Sequence, residues 1–286
     1  MFDSQLESLI IEILHEKPIN IQALSGGCIG EVYRVELAGG RSIVAKVADG
    51  SGATLAVEGY MLRYLREHSR LPVPEVYHSA DTLLLMEFIE GESELDAGAQ
   101  EHAAELLADL HGLRGETFGL ERDTVIGGLH QPNKSTDRWI PFFREQRLLY
   151  MAYEAARVGR LPVAVLERVE KFATQLDKWL IEPDYPALIH GDMWTTNILA
   201  EDNAITGFLD PAIYYAHPEM ELAFSTLFGT FSQPFFTRYH QLRPIAAGFF
   251  ETRRDIYNLY PLLVHVRLFG GGYVGAVDQI LRKYKF

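Results

Sequence analysis

Residues 188–212, LIHGDMWTTNILAEDNAITGFLDPA, bring His190, Asp192, Asn197 and Asp210 into one short stretch. Asn197 follows Asp192 by five positions. At that spacing a phosphoryl-transfer loop sets a carboxylate that takes the proton of an attacking hydroxyl and an amide that holds magnesium. Asp210, beyond a predicted hairpin, supplies a second oxygen ligand. Mg²⁺ suits such a pair, because it takes one or two hard protein oxygens and fills its remaining positions with water and phosphate. Taken singly, HGD beside a strand is a turn, and Asn197 and Asp210 are polar surface; what surrounds them argues for more.

Upstream, Lys46 stands in VAKV, inside a run of β-formers without the polar alternation that a solvated lysine would have. It calls for an anion. Glu58, twelve residues later on a predicted helix, is placed to pair with Lys46 and hold it toward the α- and β-phosphates of a nucleotide. Before both lies SGGCIG, where Gly26, Gly27, Cys28, Ile29 and Gly30 form a loop whose glycines let backbone N–H groups approach phosphates without side-chain clash. Between the two groups, LLLMEFIEG offers Met86, Glu87 and Phe88 as a connecting strand whose backbone would bond an adenine edge while Met86 and Phe88 flank the ring. Each feature alone reads as a strand end, a surface charge or a buried strand. Glycine loop, lysine, glutamate, then Asp/Asn/Asp, in that order, read as an ATP site with magnesium.

The elements that must position these residues are legible in outline. Residues 2–16 predict an amphipathic helix, EVYRVELA and SIVAKVA a hairpin, residues 52–68 a helix interrupting a small antiparallel sheet, and residues 73–91 two more strands. After Gly91 the pattern turns helical, notably over residues 99–113, 139–158 and 162–180. The expected class is α+β: a bilobal, protein-kinase-like arrangement with an N-terminal ATP-binding lobe over 1–88, a hinge about 86–91, and a larger, mainly helical catalytic and substrate-binding lobe over 89–286. At 286 residues and 48% hydrophobic content the chain has ample core material. Twenty-six basic against thirty-nine acidic residues leave a net charge of −13. That charge repels nucleic acid and anionic membrane surfaces. No apolar run reaches the length of a membrane span, the first residues lack the form of a secretory signal, and a single cysteine fits a reducing cytoplasm.

With these residues the chain resembles the fructosamine kinase (ketosamine 3-kinase) family, of the aminoglycoside-phosphotransferase type of fold. The resemblance runs through GGCI, LADLH, FGLERDTVIGGLHQPN, DRWIPFFREQRL, HGDMWTTN, DPAIYYAHPEMELAF, FGTFSQPFFTRYH and LFGGGY. Trp194 inside the loop and the DPAIYY continuation are its discriminating marks. It implies ATP-dependent phosphorylation of the 3-hydroxyl of a small-molecule or protein-bound ketosamine, a step in removing glycation adducts. Asp192 is then the base, Asn197 and Asp210 hold Mg²⁺, Lys46 and Glu58 hold phosphate, and Met86 to Phe88 line the adenine pocket. The chain departs from the family pattern at Thr124, Ala216, Pro218 and Ala56, none of them a catalytic position. No APE motif or long segment after Asp210 offers a phosphorylated activation loop.

Trp194, two residues after the base, reads either as a core anchor or as a wall against the substrate's cationic amine; aromatic faces beside carboxylates favour the second. His111, His130, His217 and His265 lack metal-ligand spacing and read as structural. Relatives also imply a redox role for Cys28, here limited to a monomer when reduced and a Cys28-linked homodimer or mixed disulfide when oxidised. The same Asp/Asn/Asp skeleton serves phosphotransferases for aminoglycosides, choline or sugars. A nucleotide-binding pseudokinase is the alternative of another class, against which the intact Lys46, Glu58, Asp192, Asn197 and Asp210 argue.

Overall fold

Runs of β-formers, buried on both faces in the central strands, build a five-stranded antiparallel sheet in the first third of the chain. Its strands β1 (Pro18–Leu24), β2 (Glu31–Leu37), β3 (Ser42–Val47), β4 (Val76–Ser79) and β5 (Leu83–Glu87) lie in the order β1-β2-β3-β5-β4. The structure, a computed structural model, describes residues 2–24, 30–48, 50 and 54–286; Gly26, Gly27, Cys28 and Ile29 lie outside the described residues. Ile43 and Ala45 of β3 and Leu83 and Leu85 of β5 pack with Leu6 and Ile10 of α1 (Phe2–Leu14). The alternate residues Val44, Leu84 and Met86 join the main core on the opposite face. Lys46 shares that face, paired in register with Val32 of β2 and Leu84 of β5. A slip of one residue would send its amine beneath α1.

Helix α2 (Leu55–His68) packs against this face. Leu55, Glu58, Leu62 and Leu65 follow at three- and four-residue steps, which is one stripe of a helix. The three leucines are buried. Glu58 is therefore a carboxylate in an apolar stripe and requires an internal partner. Ser69 ends the helix, its amide and hydroxyl both donating to the Leu65 carbonyl.

The remainder is mainly helical. α3 (Ala97–Leu110) starts at Asp96, whose carboxylate accepts from the Ala99 amide at 2.8 Å. The hairpin β6 (Thr124–Ile126) and β7 (Leu129–Gln131) precedes α4 (Trp139–Phe143) and α5 (Tyr150–Arg157), with α6 (Val163–Ala173) after them. The continuous helix expected over 139–158 is interrupted by a π-helical turn at Arg144–Leu149. The wider turn carries Arg147 into the interior. There it donates to the Pro132 carbonyl and to Asn133 Oδ1, each at 2.6 Å, and lies 3.8 Å above the Tyr214 ring. Two short antiparallel pairs follow: β8 (Ala187–Ile189) with β11 (Tyr214–Ala216), and β9 (Ile198–Glu201) with β10 (Ala204–Phe208). α7 (Glu219–Leu227), α8 (Gln233–Leu242), α9 (Arg254–Phe269) and α10 (Gly272–Lys283) complete the chain. Among the described residues no helix is long and apolar enough to cross a membrane.

Just before α7, His217 is buried and accepts from the Glu219 amide on Nδ1 at 3.1 Å, which places its proton on Nε2. The Glu219 carboxylate is held by Arg253 through two bonds of 2.6 Å. Burial first, then the Arg253 charge, push the His217 pKa down to about 3. Because the folded-state pKa lies below the ordinary value, the unfolded chain binds this proton first as pH falls. The contribution is whole above about pH 6.5 and is lost on acidification toward 3, at up to about 1.4 kcal/mol per pH unit. Urea unfolding between neutral and mildly acidic pH should therefore show a shallower loss of stability in His217→Phe than in the parent protein.

Candidate active site

Lys46, Glu58 and Asp210, distant in sequence, meet at one ammonium. Lys46 Nζ donates to Glu58 Oε1 at 2.7 Å and also to Asp210 Oδ1. Burial works against the charged amine, but the carboxylates of Asp210 and Glu58 outweigh it and hold the group above the ordinary lysine range. The pairing thus joins β3, α2 and the loop after β10. Asp210 adopts a left-handed backbone, φ +52°, which aspartate tolerates better than bulkier residues do.

Asp192 and Asn197 occupy the loop between β8 and β9. Asn197 Nδ2 donates to the Asp192 carbonyl at 3.0 Å and to its carboxylate at 3.1 Å. Burial, reinforced by the charge of Asp210 and opposed by the Asn197 bond, pushes the Asp192 carboxyl up to about 8. Raised proton affinity suits a group that takes a proton from a hydroxyl. With Nδ2 bonded to Asp192, Asn197 keeps Oδ1 for a ligand, and Asp210 keeps Oδ2. Two hard oxygens at adjoining loops fit Mg²⁺, which needs no larger protein cage; among the described residues no group of three or more His, Cys, Asp or Glu forms one.

The loop is fixed from behind. Ala212 N donates to the His190 carbonyl at 2.7 Å and Leu209 N to the Asn197 carbonyl at 2.8 Å, which ties the Asp192 loop to the Asp210 loop. Gly191 has φ +88°, and a Cβ there would collide with the Ala212 carbonyl. Its amide donates to Glu221 Oε1 at 2.7 Å, while Glu221 Oε2 accepts from His111 Nε2 at 2.8 Å. Although burial alone would raise the Glu221 carboxyl, these donors hold it below its ordinary range. Burial keeps His190 below the usual histidine range, and its Nδ1 accepts from the Asp192 amide at 3.4 Å. It is a structural member of HGD and not a second base.

Beside Asp192 opens a cavity of about 490 Å³ walled by Trp194, Phe228, His265, Phe269 and Tyr273. The rings form a series: Trp194 to Phe228 5.9 Å, Phe228 to His265 4.9 Å, and His265 to Tyr273 4.9 Å between centroids. His265 Nδ1 donates to the Pro261 carbonyl at 2.7 Å, and burial lowers the ring's pKa. A neutral ring so bonded leaves Nε2 as an acceptor.

Of the residues picked out in the sequence, Lys46, Glu58, Asp192, Trp194, Asn197 and Asp210 fall in this region. Met86 is buried on the sheet face that joins the main core, and Phe88 lies under the Arg34 guanidinium at 4.1 Å. The Glu87 amide donates to the Glu75 carbonyl at 2.8 Å. Gly30 is described, next to β3, whereas Gly26 to Ile29 are not. Sequence reading missed Phe228, Phe269 and Tyr273, classed His265 as structural, and passed over Glu221. One signal was available: Leu-Phe-Gly occurs at 227–229 and again at 268–270, each time closing a helix with a glycine of positive φ. Glu221 lacks such a mark, because an acid in the first turn of a helix is common. Glu221→Gln takes the anionic acceptor from both donors and sets an NH2 group against one of them in a buried place. It should cost about 2–5 kcal/mol in denaturant unfolding and lower kcat more than it raises the KM for nucleotide.

Known proteins resemble this chain along nearly its whole length. A profile of the family described as fructosamine kinase matches residues 4–285. A probable ketoamine kinase of Synechocystis sp. is 32% identical, covering 93% of this chain and 92% of that protein. The chloroplastic protein-ribulosamine 3-kinase of Arabidopsis thaliana is 32% identical over 92% of this chain and 82% of its own length. A solved structure of a candidate fructosamine-3-kinase from Thermobifida fusca superposes with a TM-score of 0.84 at 31% identity, covering 97% and 98% of the two chains. An aminoglycoside phosphotransferase solved with AMP-PNP and hygromycin B shares the fold at a TM-score of 0.71 and 18% identity, over 98% and 99% of the chains. With the match spanning nearly every residue and the loops of the site inside it, the chain belongs to the fructosamine kinase family and is a kinase of the protein-kinase-like fold.

Proposed function

We propose that this protein transfers the γ-phosphoryl group of ATP to the 3-hydroxyl of a ketosamine. The observation that carries the reading is the placement of Asp192: its carboxylate borders the aromatic cavity on one side and is bonded to Asn197 on the other, beside the Lys46–Asp210 pair. The substrate hydroxyl oxygen bonds to the γ-phosphorus, its proton passes to Asp192, the bond to the β-phosphate oxygen breaks, and ADP leaves. Lys46, oriented by Glu58, holds the α- and β-phosphates. Asn197 and Asp210 would hold Mg²⁺, which when bound neutralises phosphate charge.

In this reading residues 1–88 hold the nucleotide and residues 89–286 hold the acceptor, with adenine against Met86 to Phe88 and the 86–91 connection. The Gly26–Gly30 loop covers the phosphates, and oxidation of Cys28 would link two otherwise monomeric chains. A cytoplasmic setting and free or protein-bound ketosamines as partners belong to the same reading. The names of relatives support it: ketoamine kinase and protein-ribulosamine 3-kinase. Trp194 serves as a wall of the acceptor site.

Phosphorylation assays on a synthetic ribulosamine, a fructosamine and an aminoglycoside test the assignment, with turnover expected for the ketosamines; turnover of the aminoglycoside alone would reject it. Asp192→Asn should lower kcat by about 10²–10⁴-fold while ATP binding persists by thermal shift. Trp194→Ala should raise the KM for the ketosamine far more than the KM for ATP.

A further inference from the structure

Helix α2, which carries Glu58 to Lys46, is held on two further sides. Toward the sheet, Gly59 lies so close to Ser79 of β4 that a Cβ there would collide with the serine side chain, and Arg63 donates to the Ser79 hydroxyl at 2.7 Å. Toward the helical part, Tyr60 donates to Glu121 Oε1 at 3.0 Å, and the Tyr64 and Tyr215 hydroxyls share a bond of 3.1 Å. The two tyrosines differ in what they reach. Glu121 is an exposed side chain, whereas Tyr215 belongs to a strand fixed on both edges. It pairs with Leu188 of β8 and exchanges main-chain bonds of 2.9 and 3.0 Å with Gly119, and its ring lies against Gly115, where a Cβ would collide with it.

Tyr215 also stands five residues beyond Asp210 on one segment. Within that segment Asp210 accepts from Lys46, and Ala212 N donates to the His190 carbonyl at 2.7 Å. Residues 210–215 therefore touch the lysine, the Asp192 loop and α2. Glu58 and Tyr64 lie six residues apart on α2, about 9 Å along its axis. The elements that carry the two carboxylates of Lys46 are thus joined a second time, away from the lysine, through two phenol oxygens. Burial of Leu55, Leu62 and Leu65 resists removal of α2 but is non-directional. A hydrogen bond fixes distance and direction. The Lys46–Asp210 contact must be shared with nucleotide phosphates when they arrive; the Tyr64–Tyr215 contact is not.

Resting on the function proposed above, we infer that Tyr64 is a positioning residue for nucleotide: its bond to Tyr215 sets where α2 stands against the 210–215 segment and so keeps Glu58 on Lys46 while that lysine holds phosphate. Removing single hydroxyls tests this. Tyr64→Phe and Tyr215→Phe should each weaken binding of AMP-PNP with Mg²⁺ and raise the KM for ATP about two- to tenfold, the span of one neutral hydrogen bond, with the KM for the ketosamine unchanged. The double variant should be no worse than either single one, because both remove the same bond. In a Glu58→Gln background, where the positioned group has lost its charge, Tyr64→Phe should shift AMP-PNP binding less than in the wild type, while its cost in denaturant unfolding stays the same. Unchanged nucleotide binding in Tyr64→Phe overturns the inference, as does an equal shift in both backgrounds. Should Glu58→Gln fail to fold, the two KM values decide, and an equal rise in both overturns it. AMP-PNP binding needs no acceptor, so a wild-type protein that binds it but turns over no ketosamine rejects the proposed function and leaves this test standing.

Discussion

A buried ammonium with carboxylates on two sides organises this molecule. Glu58 and Asp210 hold Lys46 charged inside the protein, and the buried Glu58 depends on the lysine in turn, whereas Asp210 keeps nearly half of its side chain in solvent. Satisfying all three sets strict conditions. The sheet register must turn Lys46 away from α1, α2 must present Glu58 from within its leucine stripe, and the loop after β10 must bring Asp210 across from the helical part. Losing the lysine leaves the buried Glu58 unmatched and losing either acid leaves the ammonium a single partner, so the position of α2 and the approach of the two parts of the chain are linked electrostatically as well as by packing.

The catalytic loop is stabilised differently, through its backbone. Glu221 receives the Gly191 amide, Ala212 reaches the His190 carbonyl, and Leu209 reaches the Asn197 carbonyl. A second buried set stands behind Ala212: Tyr260 donates to Gln131, whose amide donates to the Ala212 carbonyl, and Arg147 fixes the neighbouring Asn133. Polar side chains in the interior therefore hold main-chain groups and leave Asp192, Asn197 and Asp210 with oxygens free for ligands. Such networks are tolerated when their members are satisfied, and here they hold the loop together with the Asn197 side chain, which bonds the Asp192 carbonyl.

The cavity beside Asp192 is walled by Trp194 of the loop between β8 and β9 and by rings at the end of α7 and on α9 and α10. An aminoglycoside phosphotransferase shares the fold at 18% identity; in this chain the cavity beside Asp192 is walled by aromatic rings.

The Lys46, Glu58, Asp192, Asn197 and Asp210 positions were legible because their spacing is local or recurs in a fixed order, and four of the five strands and α2 were legible because runs of β-formers between turn residues and an apolar spacing of 3.6 residues are written directly in the chain. Phe228, His265, Phe269 and Tyr273 were not: ring-to-ring contact between residues 194 and 273 depends on how α7, α9 and α10 cross, and an aromatic residue on a helix looks alike whether it faces the core or a cavity. The π-helical turn at Arg144–Leu149 was hidden for a related reason, since its one extra residue per turn serves a buried cation whose partners lie on other elements. Sequence alone thus determined the order of the elements and the residue types that could move a phosphoryl group. Tertiary packing decided which carboxylates share the lysine, what supports the loop, and which rings wall the cavity beside Asp192, because those are contacts between distant segments and carry no periodic trace in the sequence.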